Sequence, residues 1–281
     1  MTFKYVTLDV SFAQNTDAFG INNNGQIVGD SSVGGSVDGY AYNSASGTFI
    51  AVDDPSGMGT MPYGISNPQQ NGDDFIVGSY STNSGGDAFS RFGGVYLPVS
   101  GFFPAGTTYS AFTGVSENGA YAVGLYQPAA NTYASILVSA ASPTSPVTLP
   151  SLGVDGTSAY GVNNKGEIVG YYDDNGVDRG FLYRSSTGTF TYINDPHGTK
   201  GTEAMGINDE GEIVGMFTNA NDVRHGFLYK ISTKQFTTLT DPHAGNAPGL
   251  GTIAFGINDH GEIVGTYIDS TSTFNGFHTI V

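Results

Sequence analysis

The chain has 281 residues, of which 42 are glycine and 12 are proline, while only 12% are charged and none is cysteine or tryptophan. Long helices are excluded, because each glycine costs a helix roughly 1 kcal/mol relative to alanine. A disordered chain is excluded by the 38% of hydrophobic residues, which include 17 tyrosines and 18 phenylalanines. The composition therefore predicts an all-β protein with many tight turns.

The net charge of the chain limits the kinds of partner that it can bind. Twenty-five acidic residues against nine basic ones give a formal net charge of −16. Such a surface repels nucleic acid and anionic lipid, and the lack of cysteine excludes disulfides and thiolate metal ligands. No apolar stretch of about 18 residues is present that could span a membrane. We expect a monomer that binds neither nucleic acid nor a membrane.

A ten-residue motif organises the sequence. It begins at Gly20 as Gly-Ile-Asn-Asn-Asn-Gly-Gln-Ile-Val-Gly. Close copies begin at Gly161, Gly206 and Gly256, and looser copies begin at Gly64 and Gly114. Successive copies are 44 to 50 residues apart, which is typical of the blades of a β-propeller. We number the repeats 1 to 6 in chain order.

Each repeat contains four strand signals separated by turn residues. In repeat 4 the predicted strands are 159–163, 167–172, 180–183 and 189–194. The turn Asn163-Asn-Lys-Gly166 suits a type I turn with glycine in the left-handed position, and the repeat ends at Asp195-Pro196. Four strands per repeat are typical of an antiparallel blade.

The last repeat stops after its third strand, and the start of the chain supplies the missing one. Residues 2–9 resemble the fourth strand of repeat 4, so their pairing with the last repeat would close a ring and remove exposed edges. We predict one six-bladed β-propeller domain over 1–281, with an open β solenoid as the alternative. The predicted blades lie near 15–54, 60–99, 109–150, 157–195, 202–241, and 252–281 plus 2–9.

The unit Gly-Ile-Asn-Asp-x-Gly-Glu-Ile-Val-Gly-x-Tyr resembles the bacterial HAF-type extracellular repeat. The resemblance covers nearly the whole chain, strongly in repeats 1, 4, 5 and 6 and loosely in repeats 2 and 3. It implies a structural unit without a catalytic motif and an extracellular location. Residues 1–10 show no apolar stretch typical of a secretory signal peptide, so a cytoplasmic location stays open as the alternative.

The two faces of such a disc differ in sequence. Short uniform turns between first and second strands lie on one face, which we call the turn face. Variable second-to-third loops and the crossings between blades lie on the other, the loop face, where binding usually resides. Two residues after the second-strand glycine the sequence has aromatic rings in five repeats, which either pack between blades or stack on a ligand. These rings are Tyr80, Tyr126, Tyr172, Phe217 and Tyr267.

The position just before the third strand varies from repeat to repeat. It holds Asp38, Asp87, Arg179 and His225, among others. A variable position in a regular scaffold is either free to drift or adapted to an asymmetric ligand. We predict that Asp38, Asp87 and Arg179, together with Arg224, contribute to ligand binding.

Three histidines and one carboxylate gather around repeat 5. His197 and His243 follow Asp-Pro turns at its entry and exit, His225 ends its second-to-third loop, and Glu203 lies in the entry crossing. Such groups could transfer protons or hold a divalent cation. The alternative is that each aspartate caps its own turn and the histidine is incidental. No cofactor is required by the sequence, although a divalent cation is possible.

The leading hypothesis is a recognition module that binds a carbohydrate, small molecule or protein on the loop face. The first alternative is an enzyme, a hydrolase, lyase or isomerase, with His197, His225 or His243 as acid or base, Glu203 as a second carboxylate and an arginine holding an anionic group. The second alternative is a structural surface protein without a pocket. Local signatures of known hydrolase or nucleotide-binding motifs do not occur in the sequence.

Overall fold

A computed structural model describes residues 3–55, 57–83, 85–97, 99, 101–129, 132–153 and 155–280. Within these residues the chain forms strands and turns and no helix. The arrangement of the strands is that of a β-propeller, as the composition and the repeats predict. Thr2 and Val281, at the ends of two predicted ranges, lie outside the described residues.

The strand bounds follow the repeats. The first half of the described chain contains β1 (Lys4–Leu8), β2 (Asn15–Ile21), β3 (Gln26–Val33), β4 (Ser36–Asn43), β5 (Thr48–Ala51), β6 (Thr60–Ile65), β7 (Phe75–Thr82), β8 (Gly85–Phe92), β9 (Val95–Leu97), β10 (Ser110–Val115), β11 (Tyr121–Ala129), β12 (Thr132–Ser139) and β13 (Val147–Thr148). The second half contains β14 (Ser158–Val162), β15 (Glu167–Asp173), β16 (Asp178–Arg184), β17 (Thr189–Ile193), β18 (Thr202–Ile207), β19 (Glu212–Thr218), β20 (Arg224–Lys230), β21 (Gln235–Leu239), β22 (Gly251–Ile257), β23 (Ile263–Ile268) and β24 (Phe274–Ile280).

The sheets correct the prediction of six separate blades. Repeats 1 to 4 each form a separate four-stranded antiparallel sheet, whereas the strands of repeats 5 and 6 form one eight-stranded sheet. The two halves of that sheet are joined by a parallel pairing of Arg224 with Gly251. Earlier repeats meet through the same kind of contact, as at Asp178 and Gly201, but there it is only an isolated bridge.

The first strand completes the last repeat. Strand β1 pairs antiparallel with β24, from Lys4 opposite Ile280 to Leu8 opposite Gly276. This pairing places β1 at the edge of the eight-stranded sheet, in the position that the fourth strand holds in the other repeats. The predicted pairing of the first strand with the last repeat is therefore confirmed.

Six glycines bring the innermost strands into direct backbone contact. A Cβ on Gly20 would lie 2.8 Å from the Tyr63 carbonyl oxygen, and one on Gly256 would lie 2.7 Å from that of Phe19. Each ring glycine also approaches the Cα of the next one, and the series closes on itself. The members of this glycine ring are Gly20, Gly64, Gly114, Gly161, Gly206 and Gly256. Only glycine allows this approach, which explains the first residue of the motif.

A β-bulge precedes every ring glycine. The register between first and second strands shifts by one residue there, for example between Ala159 and Gly161. The extra residue opposes no partner, so its side chain is turned toward the centre of the disc. The six bulge residues line the central channel: Phe19, Tyr63, Thr113, Tyr160, Met205 and Phe255.

Buried asparagines join neighbouring repeats just beyond the glycine ring. The Asn208 amide donates to the Asn258 carbonyl oxygen (2.9 Å), and the Asn258 amide donates to that of Asn22 (3.1 Å). Asn22 in turn donates to the Ser66 carbonyl oxygen at 2.8 Å. The same side chains accept backbone N–H groups of their own turns, as Asn22 Oδ1 does from Gln26. The motif asparagine thus fixes its turn and its neighbour at once.

We expect Gly256→Ala to destabilise the protein. Its new Cβ would meet the Phe19 carbonyl oxygen at 2.7 Å and the Gly20 Cα at 3.3 Å, where the last repeat joins the first. Overpacking of this kind costs about 1–3 kcal/mol, which lowers the melting temperature by several degrees.

The matched control for this substitution is Gly34→Asn. Gly34 has φ +60° and open space around its Cβ position, and asparagine tolerates that conformation. Thermal unfolding followed by circular dichroism measures both variants. Equal melting temperatures for Gly256→Ala and wild type would show that the innermost strands can move apart to admit a methyl group without loss of stability.

Candidate functional site

The Asp-Pro-His turns have the same geometry at both ends of repeat 5. Asp195 Oδ1 accepts the backbone N–H of His197 at 2.8 Å and lies 3.0 Å from His197 Nδ1. Asp241 and His243 repeat these contacts at 2.8 and 3.1 Å. Both aspartates are buried, and both histidine side chains are mostly exposed. The aspartate caps its own turn, as the structural interpretation of this motif predicts.

His197 and His225 line one pocket on the loop face of repeat 5. The pocket has a volume of about 510 Å³ and is walled by the entry crossing, the second-to-third loop and the outer strand. Phe217 lies between the two histidines: the ring centroids of Phe217 and His225 are 5.1 Å apart at an interplanar angle of 25°, and those of Phe217 and His197 are 6.1 Å apart. The polar part of the pocket lining consists of imidazole, amide and hydroxyl groups: His197, Thr199, Asn219, Asn221, His225 and Thr238.

Hydrogen bonds fix the protonation of His225. Asn219 Oδ1 accepts the backbone N–H groups of Asn221 and Val223, so the Asn219 amide nitrogen is the group that faces His225 Nε2 at 3.0 Å. Nε2 must then accept, and Nδ1 carries the proton of the neutral ring. Burial lowers the pKa of His225 below its ordinary value of 6.5, although Asp195 opposes this shift. His225 Nδ1 is therefore a buried donor, and none of the residues that the structure describes accepts its proton.

A second pocket lies on the loop face of repeat 2 and extends to the crossing into repeat 3. It has a volume of about 500 Å³ and includes Tyr80 and Asp87, which correspond to Phe217 and His225 of repeat 5. Asp54, from the entry crossing, and Tyr96, from the outer strand, also line it. The Tyr96 hydroxyl is buried and has no hydrogen-bond partner in the structure. Both pockets thus combine an aromatic ring with one unsatisfied buried polar atom.

The other predicted ligand-binding residues, and the predicted acid or base His243, lie outside these two pockets. Tyr126 and Tyr267 are buried among core residues, His243 packs against Tyr267 with 5.8 Å between ring centroids, and Arg179 forms an ion pair with Asp174 at 3.5 Å. Each belongs to the loop-face half of its repeat without contributing to the lining of either pocket. Asp38, Tyr172 and Arg224 complete this group: Ser36 donates a hydrogen bond to Asp38, Tyr172 packs against Tyr192, and Arg224 begins strand β20.

Glu203 belongs to a different cluster, near the central channel. It lies on the innermost strand β18, and burial together with the nearby Asp178 raises its pKa to about 8, while Arg224 opposes the shift. A side-chain hydrogen bond between the two carboxyl groups adds to the rise in the Glu203 pKa and lowers that of Asp178, which favours Glu203 as the protonated partner. Tyr171 lies nearby, and its hydroxyl is 3.3 Å from that of Tyr160. The sequence pointed to Glu203 and Arg224 but not to Asp178, because their proximity depends on two different repeats.

A further carboxyl group, Glu117, lies at the opposite end of the channel. A cavity of about 120 Å³ lies between the bulge residues and Glu117. Burial and the charges of Asp259 and Asp209 raise the Glu117 pKa to about 8. Sequence reasoning missed this residue because its turn copies the motif, and only the longer side chain distinguishes it from Asp209.

Among the described residues, no group of three or more histidine, aspartate or glutamate side chains is arranged to hold a metal ion. The described residues also contain no helix of the length and apolarity that crossing a bilayer requires.

Comparison with known proteins supports the fold alone. No protein-family model and no curated protein matches the sequence. Solved structures that resemble the chain include TolB from Acinetobacter baumannii, with a TM-score of 0.57, 10% identity, and coverage of 96% of this chain and 65% of that one. A subtype N10 neuraminidase-like protein of A/little yellow-shouldered bat/Guatemala has a TM-score of 0.59 at 9% identity, with coverage of 99% and 98%.

A third similar structure contains a ligand. It is the Trypanosoma rangeli sialidase in complex with 2-keto-3-deoxy-D-glycero-D-galacto-2,3-difluoro-nononic acid, with a TM-score of 0.56, 8% identity, and coverage of 99% of this chain and 58% of that one. The chain thus spans less than two thirds of the TolB and sialidase chains. Together with the strand order, these likenesses place the protein in the class of β-propellers.

The raised pKa of Glu203 makes stability depend on pH. Its native pKa of about 8 exceeds the ordinary value of 4.5, so the native state holds more protons than the unfolded state between these values. Stability is therefore lost as the pH rises from about 4.5 to about 8. The Glu203→Gln side chain stays neutral and can still donate to Asp178. We therefore expect this variant to have a higher melting temperature than wild type at about pH 9 and nearly the same melting temperature at about pH 4.

The control for this pH dependence is Glu210→Gln, at an exposed glutamate in the turn that follows β18. Melting curves across the pH range measure the difference between each variant and wild type. A Glu203→Gln difference that does not grow with pH would show that Glu203 is ionised in the native state.

Proposed function

We propose that the protein is a recognition module that binds a neutral carbohydrate in the loop-face pocket of repeat 5. The observation that carries this proposal is the buried Nδ1–H of His225, a donor without an acceptor at the wall of a pocket of about 510 Å³. A buried donor of this kind is costly unless a ligand or water oxygen accepts its proton. A sugar hydroxyl or carbonyl oxygen is such an acceptor.

The rest of the lining agrees with a neutral, hydroxyl-rich ligand. Asn219, Asn221 and Thr199 offer amide and hydroxyl groups, and no carboxylate, lysine or arginine is among the described residues that line the pocket. The exposed His197 ring and Pro196 provide flat surface against which a sugar ring can pack. The similar sialidase structure contains a nine-carbon sugar derivative, which is consistent with a propeller that holds a sugar but does not locate a site in this chain.

The test is a glycan array of neutral oligosaccharides, followed by calorimetry on the sugars that bind. We expect His225→Ala to weaken binding at least about tenfold, because it removes a polar contact worth on the order of 1–3 kcal/mol. His197→Ala should also weaken binding, because it removes the ring against which the sugar packs. His243→Ala is the matched control, because His243 occupies the same Asp-Pro-His turn one repeat later but lies outside the pocket. An array without binding, or equal losses for His197→Ala and His243→Ala, would refute the proposal.

The second candidate function is an enzyme at the channel end of repeats 4 and 5. The observation in its favour is the hydrogen-bonded carboxyl pair of Glu203 and Asp178, with Arg224 nearby. A carboxylic acid that stays protonated at neutral pH can act as a general acid, and an arginine can hold an anionic group. The histidines of the repeat 5 pocket belong to a different site, so this candidate depends on the carboxyl pair alone.

This candidate has a distinct pH signature. Hydrolysis of a panel of chromogenic glycosides and esters should fall as the pH rises through about 8, where Glu203 loses its proton. Glu203→Gln should abolish the activity, whereas His225→Ala should leave it unchanged. Activity that survives Glu203→Gln would exclude the pair as the catalytic groups.

The location of the protein and its repeat family are further parts of the proposal. The likeness of the motif to the HAF-type repeat supports an extracellular location. Fractionation of cells that produce the chain from its native gene tests this location directly, and recovery in the cytoplasm would contradict it.

A further inference from the structure

The pocket of repeat 2 has a different chemistry from that of repeat 5. Its volume is about 500 Å³, and its lining contains four aromatic rings together with the carboxylates of Asp54 and Asp87. The rings are Tyr80, Phe89, Tyr96 and Phe103. The described residues of the lining include no lysine, arginine or histidine, and Tyr80, Tyr96 and Phe103 are partly exposed.

The carboxylates lie close to the aromatic rings. Burial raises the Tyr80 pKa, and the charges of Asp87 and Asp54 raise it further. Burial raises the Tyr96 pKa to about 12, and Asp54 adds to this shift while Arg91 opposes it. Arg91 also acts on Asp74, which belongs to the turn-face part of the repeat. Inside the pocket, the neutral phenol groups of Tyr80 and Tyr96 therefore lie close to the negatively charged carboxylates.

This combination selects a positively charged organic group. The faces of aromatic rings attract cations, and the attraction grows when the cation is removed from water. Asp54 and Asp87 add direct charge attraction, and the protein as a whole has a net charge of −16. A bare metal ion fits poorly, because apolar rings replace the additional oxygen ligands that it needs.

The buried Tyr96 hydroxyl adds a second requirement. It has no hydrogen-bond partner in the structure, although its oxygen is shielded from solvent. A buried hydroxyl is normally satisfied, so a ligand oxygen that accepts its proton removes an energetic cost. The ligand therefore needs a polar oxygen as well as a positive charge.

We propose that the repeat 2 pocket is a second binding site, specific for a hydroxylated ammonium compound. The ammonium group packs against Tyr80 and Phe103 and faces Asp54 and Asp87, while the ligand oxygen accepts from Tyr96. This site lies on the same face as the carbohydrate pocket of repeat 5 but shares no residue with it. It thus goes beyond the proposed carbohydrate function and does not depend on it.

The test compares choline with 3,3-dimethyl-1-butanol, which has nearly the same shape without the charge, by calorimetry and NMR titration of the whole protein. We expect choline to bind at least about tenfold more tightly than the neutral alcohol and to shift the ring resonances of Tyr80 and Tyr96. Equal affinities, no binding of choline, or shifts confined to other residues would overturn the inference.

Two variants separate the two requirements. Asp87 is exposed, so Asp87→Asn should fold normally and weaken choline binding at least about fivefold by removing one charge. Tyr96→Phe should weaken choline about threefold or more but leave tetramethylammonium, which has no oxygen, unchanged. If Tyr96→Phe weakens both ligands alike, the hydroxyl requirement is wrong.

The control for this site is His197→Ala, in the pocket of repeat 5, which should leave choline binding unchanged. The same variant weakens glycan binding if the proposed function holds. Choline binding without any glycan binding would therefore support this inference and refute the proposed function. Glycan binding without choline binding would support the proposed function and refute this inference.

Discussion

The structure depends on the close approach of six strands at the glycine ring. Each ring glycine lies against the backbone of the next innermost strand, with no room for a methyl group at Gly114 or Gly206. This contact sets how tightly the sheets are arranged around the centre. Because a bulge precedes every ring glycine, the same contact turns six side chains into the channel and leaves only a small cavity. The centre of the disc is therefore mostly filled, and larger pockets form farther out, under the loops.

The two loop-face pockets show how a regular scaffold acquires different chemistry. Their corresponding positions hold Tyr80 and Phe217, and Asp87 and His225, so the backbone offers similar space in repeats 2 and 5. Around the ring of innermost strands, two repeats separate them in either direction. The two proposals together predict two unlike sites on one face, and a ligand that carries both an ammonium group and neutral sugars, far enough apart to span the repeats between them, would engage both. Such joint binding would gain affinity through effective concentration rather than through new contacts.

Much of the fold was predictable because the same pattern of strand and turn residues recurs in each repeat. For repeat 4, most of the predicted strand ends lie within one residue of the observed ends. The start of the third strand differs by two residues. The pairing of β1 with β24 followed from two incomplete repeats that add up to one. The sheet count was wrong because a single parallel pairing at Arg224 and Gly251 joins two sheets, and no local pattern reports such a contact.

The candidate sites were only partly predictable. His197 and His225 could be placed together, since both follow from their positions in one repeat, but the sequence also grouped His243 with them and the pocket does not include it. Asp178, Glu117 and Tyr96 could not be found in this way. Their properties arise from neighbours in other repeats or from burial, and the sequence around each of them is an ordinary strand or turn.

The chain of buried asparagines has a consequence for how the molecule comes apart. Each amide is donated to the next repeat, and the series runs from Asn163 through Asn208 and Asn258 to Asn22 and across the join between last and first repeats. An open array of repeats frays from its end units, which have one neighbour each. Here every such unit has two, and loosening one leaves an unsatisfied amide on one side and an unsatisfied carbonyl on the other. Loss of structure in this part of the ring has no free end at which to begin, which favours slow, concerted unfolding over gradual fraying.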